Sequence, residues 1–184
     1  MEIMKDEILR FNRDFVANKC YVKYATDKYP DKKLAIVTCM DCRLVELLPA
    51  ALGLKNGDFK IIKNAGATIT DPFDSTMRSL LVAVYELGVT EIMVIAHTGC
   101  GVEGMNAEEM LHLMKDRGVL EENIELMKHC GIDLDKWLTG FDDANKAVTE
   151  TVDIIRHHPL MPPAGINVTG YVMETSTGEL QPVK

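Results

Sequence analysis

Three short apolar runs separated by two helical patterns constrain the fold more than any other feature of the sequence. The runs are KLAIVTC (33–39), FKIIKN (59–64) and EIMVIAH (91–97), and they are rich in Ile and Val. Their lack of clean polar–apolar alternation is typical of strands that are covered on both faces. The intervening segments 43–53 and 74–88 have apolar spacings that predict helices. This order predicts a parallel α/β sheet with right-handed crossovers.

The remaining segments extend this prediction to the whole chain. After residue 101, three further stretches have helical patterns, and INVTGYVMET (166–175) predicts a last strand. Residues 2–18 carry apolar positions at three- and four-residue spacings, which predict an amphipathic helix. We therefore expect one α/β domain over residues 1–184, with an N-terminal helical arm over 1–18. Its sheet is expected to be mostly parallel, with about four strands and a late edge strand, and to be flanked by helices.

Charge and composition exclude several classes of partner. The chain has 184 residues and a net charge of −8, and its sequence contains no dense basic cluster. Nucleic-acid and membrane-surface binding both need positive charge gathered on one face, so we expect neither. No apolar run approaches the roughly 20 residues of a membrane span. The N-terminus lacks the apolar core of a signal peptide, so we expect a cytoplasmic protein.

Two cysteines and a histidine fall where strands are predicted to end. Cys39 ends the first strand, His97 ends the third, and Cys100 follows three residues later. The carboxyl ends of parallel strands meet at one edge of a sheet, so these side chains are expected to lie together. Thiolate and imidazole ligands suit Zn²⁺, and Gly99 allows the tight turn between His97 and Cys100. The sequence therefore predicts a zinc site at this edge.

The second cysteine of the CMDC motif leaves the type of zinc site open. If Cys42 is a ligand, the site has four protein ligands and is structural. If it is not, the fourth position is open and the site is catalytic. Asp41 and Arg43 favour the open site, because a closed site needs neither a carboxylate nor a guanidinium beside it. A redox dithiol at Cys39 and Cys42 is less favoured, since it has no use for a distant His-x-x-Cys.

The motifs CMDCRL, IIKNAGA, RSLLVAVYELGVTEIMVIAHTGCG and INVTGYVMETSTGEL resemble those of the β-class carbonic anhydrases, particularly the short, compact prokaryotic members. The resemblance extends from about residue 20 to the end of the chain. It implies one Zn²⁺ held by Cys39, His97 and Cys100, with a fourth position for water. It also implies a zinc lyase in which metal-bound hydroxide reversibly hydrates CO₂ to bicarbonate and a proton.

The resemblance also implies roles for the residues around the ligands. Asp41 accepts a hydrogen bond from the metal-bound water, and Arg43 holds Asp41 away from the metal. In some members this pair breaks, and the aspartate itself fills the fourth position. Cys42 stands where the family usually has serine, which implies that it points away from the zinc. The chain departs from the family's common NAGN motif at Ala67.

A small linear substrate calls for a narrow apolar slot. We expect the slot to be lined by Met40 and by the loop residues Asn64, Ala65 and Gly66. Backbone N–H groups from Gly99 to Gly101, predicted to lie at the start of the next helix, are expected to favour the bicarbonate charge.

Two alternatives to CO₂ hydration remain open, and the resemblance also predicts an oligomer. The same zinc site suits hydrolysis of carbonyl sulfide or carbon disulfide, and a site closed by Cys42 or Asp41 would make a non-catalytic zinc protein. The resemblance implies a homodimer or a higher multiple of dimers, with residues 2–18 reaching across to the partner. Elsewhere, we expect Cys20 and Cys130 to be small core residues. The remaining histidines are expected on helix surfaces: His112, His129, His157 and His158.

Overall fold

A central sheet with helices on its faces organises the protein. The computed structural model describes residues 4–183. In chain order its elements are α1 (Met4–Ala17), a 3₁₀ helix (Cys20–Tyr24), β1 (Leu34–Cys39), α2 (Leu44–Ala51), β2 (Phe59–Asn64), α3 (Ser75–Tyr85), β3 (Glu91–His97), α4 (Ala107–Asp116), α5 (Glu121–His129), α6 (Leu134–Leu138), α7 (Ala144–His157), β4 (Asn167–Met173) and β5 (Leu180–Pro182).

The strand order across the sheet is β2-β1-β3-β4-β5. The first four strands are parallel to one another, and β5 pairs antiparallel with the end of β4. The predicted α/β fold is therefore confirmed, including the late edge strand. Because β1 and β3 are adjacent, their carboxyl ends lie side by side at one edge of the sheet.

Two apolar clusters fill the space between the sheet and its helices. One contains Ala35 and Val37 of β1 together with Leu80 of α3 and Ile155 of α7. The other contains Leu34 and Ile36 of β1 together with Leu44 and Leu48 of α2, and it also includes Cys39 and Cys100. Successive residues of a strand point to opposite faces, so a strand buried on both sides has apolar residues at every position. This explains the unbroken apolar pattern of β1.

Capping side chains fix where two of the later helices begin. The Asn106 side chain accepts hydrogen bonds from the backbone N–H groups of Glu108 and Glu109, so α4 begins at Ala107. The Asp143 side chain accepts one from the N–H of Lys146, so α7 begins at Ala144. The expectation that Gly99–Gly101 starts a helix is therefore wrong. That segment is a turn ahead of α4.

The predicted N-terminal arm is a helix over Met4–Ala17, and residues 1–3 lie outside the described residues. No residue of this helix is buried in the protomer. The chain that follows is tied to the body by two side chains. Asn56 Nδ2 donates to Tyr24 O at 2.7 Å, and Lys60 Nζ donates to Lys28 O at 2.6 Å. In the described part of the chain, no helix has the length and apolar character needed to cross a bilayer.

Three expectations about individual side chains are wrong. Cys20 and Cys130 are exposed rather than part of the core. Cys20 lies in the 3₁₀ helix and Cys130 caps the end of α5, both away from the sheet. His158 is buried rather than on a helix surface. Its ring pairs with Pro72 O at 2.8 Å and accepts from Leu160 N at 3.1 Å, so both ring nitrogens have partners.

Candidate metal centre

The structure brings Cys39, His97 and Cys100 together where β1 and β3 end. All three side chains are buried, and one ligand atom of each lies within 4.8 Å of those of the other two. The two Sγ atoms are 3.8 Å apart. Among residues 4–183, these three are the one cluster of cysteine, histidine or acidic side chains whose ligand atoms are close enough to hold a metal ion.

Two observations show that this group fits a tetrahedral metal. Two thiolates bound to one Zn²⁺ at about 2.3 Å lie roughly 3.8 Å apart, which matches the separation of Cys39 and Cys100. His97 Nε2 is buried and has no hydrogen-bond partner among the described residues. Leaving a buried polar atom unpaired destabilises the fold unless something else satisfies it, and a metal ion would do so.

Cys100 has a raised pKa and therefore favours the protonated thiol when no cation is beside it. Burial raises the pKa of this thiol, while the backbone N–H groups of Val102 and Glu103 act in the opposite direction. The neighbouring sulfur of Cys39 also raises this pKa, so these N–H groups only partly offset the cost of forming the thiolate, which is the form that binds a metal.

Asp41 lies beside this group and is held by Arg43. Arg43 Nη2 donates to Asp41 Oδ2 at 2.7 Å, and Arg43 Nε and the backbone N of Arg43 donate to Asp41 Oδ1 at 3.0 and 2.8 Å. These hydrogen bonds hold the pKa of Asp41 well below its usual range, so the carboxylate is ionised. Arg43 Nη2 also donates to Gly99 O at 2.8 Å, which links the pair to the loop before Cys100.

Asp41 and His97 are close to each other but are not hydrogen-bonded. Asp41 Oδ2 lies 3.8 Å from His97 Nε2, too far for a hydrogen bond. The carboxylate therefore faces the position that a metal on His97 would occupy, while both of its oxygens are engaged by Arg43.

Cys42 and Met40 do not join the buried group. Cys42 is exposed, and it is not among the three residues whose ligand atoms converge. Met40 is 65% exposed in the protomer, so a slot lined by this side chain opens to solvent there. Gly99 and Gly101 are exposed in the turn around Cys100, and Gly99 has a φ of 61°, in the left-handed region that favours glycine.

The loop after β2 is held mainly by Asn64. Its Nδ2 donates to Thr68 O at 2.7 Å and to Thr76 Oγ1 at 3.1 Å, which ties the end of β2 to the start of α3. Ala65 is exposed and Gly66 is buried. Ala67 has a φ of 60°, a backbone conformation that asparagine tolerates better than alanine does. This gives a backbone reason for the asparagine in the common NAGN motif.

Two apolar side chains near the group have no counterpart in the sequence predictions. Val102 and Phe141 pack against the cluster that contains Cys39 and Cys100. A Cβ at Gly66 would lie 2.9 Å from Phe141 Cε1, so the ring edge touches the loop after β2. Val102 and Phe141 also line a cavity of about 550 Å³. Phe141 follows the excursion through α4 to α6, and no local pattern indicates that it returns to this site.

Comparison with known proteins identifies the family. Residues 34–180 match the family model described as carbonic anhydrase. The "Putative carbonic anhydrase YtiB" of Bacillus subtilis is 51% identical over 180 residues, which cover 98% of this chain and 95% of that protein. The chain belongs to the β-carbonic anhydrase family. The buried Cys-His-Cys group of this family member is therefore a candidate metal site in a family of metalloenzymes.

Two further proteins similar to this chain have different named activities. The crystal structure of β-carbonic anhydrase isoform I of Trichomonas vaginalis has a TM-score of 0.89 and 32% identity, and the match covers 99% of this chain and 98% of that one. A carbon disulfide hydrolase of Acidithiobacillus thiooxidans is 30% identical over 161 residues, 83% of this chain and 77% of that protein.

Proposed function

We propose that the protein is a zinc-dependent carbonic anhydrase, which converts CO₂ and water to bicarbonate and a proton. The observation that carries the proposal is an ionised carboxylate, Asp41, facing a buried Cys-His-Cys group. Cys39, His97 and Cys100 would hold Zn²⁺ through two sulfurs and Nε2. When bound, Zn²⁺ supplies activation of a water molecule near neutral pH.

Asp41 orients the reacting water in this proposal. Because Arg43 holds its pKa low, the carboxylate is ionised at neutral pH and can only accept hydrogen bonds. By accepting one from the water, it turns an oxygen lone pair toward the carbon of CO₂. The engagement of both Asp41 oxygens by Arg43 supports a site that this carboxylate leaves open.

The first test is stopped-flow CO₂ hydration by zinc-loaded protein from about pH 6.5 to about pH 9, beside Asp41→Ala. We expect activity to rise with pH, since deprotonation of the activated water precedes attack. We expect Asp41→Ala to lower kcat roughly 100-fold without loss of zinc. The matched control is Asp116→Ala, which removes an exposed aspartate of α4 whose side chain is 61% exposed. Full activity in zinc-loaded Asp41→Ala would contradict the role given to this residue.

A second candidate function is hydrolysis of carbon disulfide or carbonyl sulfide. The relative named carbon disulfide hydrolase favours it, because attack of an activated water on a linear heterocumulene is the same chemistry. Turnover of CO₂, carbonyl sulfide and carbon disulfide by one zinc-loaded preparation distinguishes the two. A kcat/KM for either sulfur compound above that for CO₂ would favour the alternative.

A third candidate, a zinc protein without activity, requires a fourth protein ligand. The exposure of Cys42 and the pairing of Asp41 with Arg43 both count against closure. One tightly held zinc per chain without turnover of any of the three substrates would favour this reading.

We propose that the protein assembles as a homodimer or a multiple of dimers through α1. Over Met4–Ala17 the helix has no buried residue in the protomer. Its exposed large apolar side chains are Met4, Ile8, Leu9, Phe11 and Val16. Isolated helices of this length are marginally stable in water, so the apolar face needs a partner, and a second copy of the chain supplies one.

Charge on the apolar face of α1 tests this assembly. We expect the double variant Ile8→Glu and Phe11→Glu to elute as a monomer with the sheet intact, because two buried carboxylates would be unpaired at the interface. Light scattering with size-exclusion chromatography gives the mass, and circular dichroism reports the fold. Ala17→Glu, at a position about 80° or more around the helix from each of the five exposed apolar side chains, should leave the mass unchanged. A dimer that survives the double variant would place the interface elsewhere.

We also propose a cytoplasmic location. The Sγ atoms of Cys39 and Cys100 are 3.8 Å apart and must remain reduced to hold a metal. A reducing compartment keeps such a pair as thiols.

A further inference from the structure

The ring of His97 is held by a hydrogen bond from one of its two nitrogens to the backbone. Its Nδ1 lies 3.0 Å from Thr98 O, and the side chain is completely buried. A carbonyl oxygen only accepts hydrogen bonds, so Nδ1 carries the proton in this pair. In the neutral ring, Nε2 then has a free lone pair, and this atom is buried without a hydrogen-bond partner among the described residues. The carbonyl of Thr98 therefore selects the tautomer that can bind a metal.

The Thr98 carbonyl lies just beyond the last paired residues of the sheet. His97 and Met173 form the final pair between β3 and β4. After them, Thr98 N still donates to Met173 O at 3.0 Å. Gly99 then turns the chain away with a φ of 61°. This backbone hydrogen bond therefore holds the peptide unit that precedes Thr98, whereas the Thr98 carbonyl that contacts His97 belongs to the next unit.

A pair of threonine side chains continues the link between the two strands. Thr175 N donates to Thr98 Oγ1 at 3.2 Å, and the two Oγ1 atoms are 3.3 Å apart. Both residues are half-buried. A hydroxyl both donates and accepts, so the Thr98 hydroxyl can make both contacts at once. Together they restrict the rotation of the Thr98 side chain relative to the backbone. The restricted residue, Thr98, is also the one whose carbonyl contacts His97 Nδ1.

We propose that Thr98 and Thr175 are positioning residues for the metal centre. Their hydroxyl pair fixes the Thr98 carbonyl, which keeps the proton on His97 Nδ1 and leaves Nε2 for the metal. The proposal rests on the proposed metal site, but its first measurement uses metal-free protein. Its failure is therefore distinguishable from the absence of CO₂ hydration.

The test compares Thr98→Val and Thr175→Val with Thr98→Ser. Long-range ¹H–¹⁵N NMR of the metal-free protein reports which nitrogen of His97 carries the proton. We expect a single Nδ1–H tautomer in the wild type and in Thr98→Ser, and a mixture in the two valine variants. Competition with a chelator should show zinc affinity reduced about tenfold to hundredfold in the valine variants. In Thr98→Ser, the affinity should stay within about threefold of the wild type.

Two comparisons exclude a merely structural effect. Thr169→Val removes another half-buried threonine hydroxyl from β4 and should leave both the tautomer and zinc affinity unchanged. The absorption spectrum of the Co²⁺-loaded valine variants should shift relative to the wild type, because the imidazole is reoriented. If Thr98→Val does not fold, Thr175→Val still decides the question. An unchanged tautomer with unchanged zinc affinity in Thr175→Val would overturn the proposal.

Discussion

Replacing Cys39 with serine is expected to abolish zinc binding and CO₂ hydration together. Serine preserves the size of the side chain, but its hydroxyl is far less acidic than a thiol and is a poor ligand for Zn²⁺. Loss of an outer-shell partner of a metal costs 10- to 100-fold in affinity, so loss of a ligand should cost more than about 100-fold. The measurement is zinc content after dialysis, followed by stopped-flow hydration.

Cys42→Ser is the matched control, since it makes the same chemical change three residues away. Cys42 is exposed and lies outside the buried group, so zinc and activity should both be retained. Serine is also the residue that the resemblance leads us to expect at this position. A variant pair with the opposite outcome, in which Cys42→Ser loses the metal and Cys39→Ser keeps it, would overturn the ligand assignment.

Replacing Gly140 with alanine is expected to cause the largest loss of stability. A Cβ at this position would lie 1.9 Å from Val102 O and 3.0 Å from Met105 Cβ. The first of these is a backbone atom, so the clash cannot be relieved by a change of rotamer. The chain segments are also paired by hydrogen bonds, from Gly140 N to Met105 O and from Gly104 N to Phe141 O, both 2.8 Å.

Forcing these segments apart should cost about 3 kcal/mol or more, which lowers Tm by roughly 10 °C in a domain of this size. The measurement is thermal unfolding followed by circular dichroism. Gly101→Ala is the steric control, because among the described residues no atom beyond its chain neighbours lies within 4 Å of the new Cβ. A Tm for Gly140→Ala equal to that of Gly101→Ala would show that the two segments separate freely.

The strands and the meeting of Cys39, His97 and Cys100 could be predicted because the decisive signals are local. Cys39 and His97 end apolar runs, and the rule that parallel strands end at a common edge brings them together without further information. The helix boundaries were harder to predict from the sequence, since the apolar pattern alone does not locate the capping residue. Asn106 shows this, because its side chain delays α4 and leaves Gly99–Gly101 in a turn.

The contacts that depend on distant segments could not be predicted from local patterns. Phe141 reaches the loop after β2 only because Gly140 fits against Val102 O, and Thr175 meets Thr98 only because β4 pairs with β3. None of these residues has a periodicity or a spacing that marks its partner. His158 likewise has the sequence context of a helix end, and its burial depends on Pro72 and Leu160.

The sequence by itself determined the element types, the parallel sheet and the meeting of the CMDC and HTGC motifs at one sheet edge, since strand-length apolar runs and their end residues are properties of short segments. Only the tertiary structure decided which cysteine of CMDC faces His97. Cys39 is the last residue of a strand buried on both faces, whereas Cys42 lies beyond the strand and is exposed. It also decided that Arg43 spans Asp41 and Gly99 O, because that contact needs the ends of β1 and β3 to be neighbours.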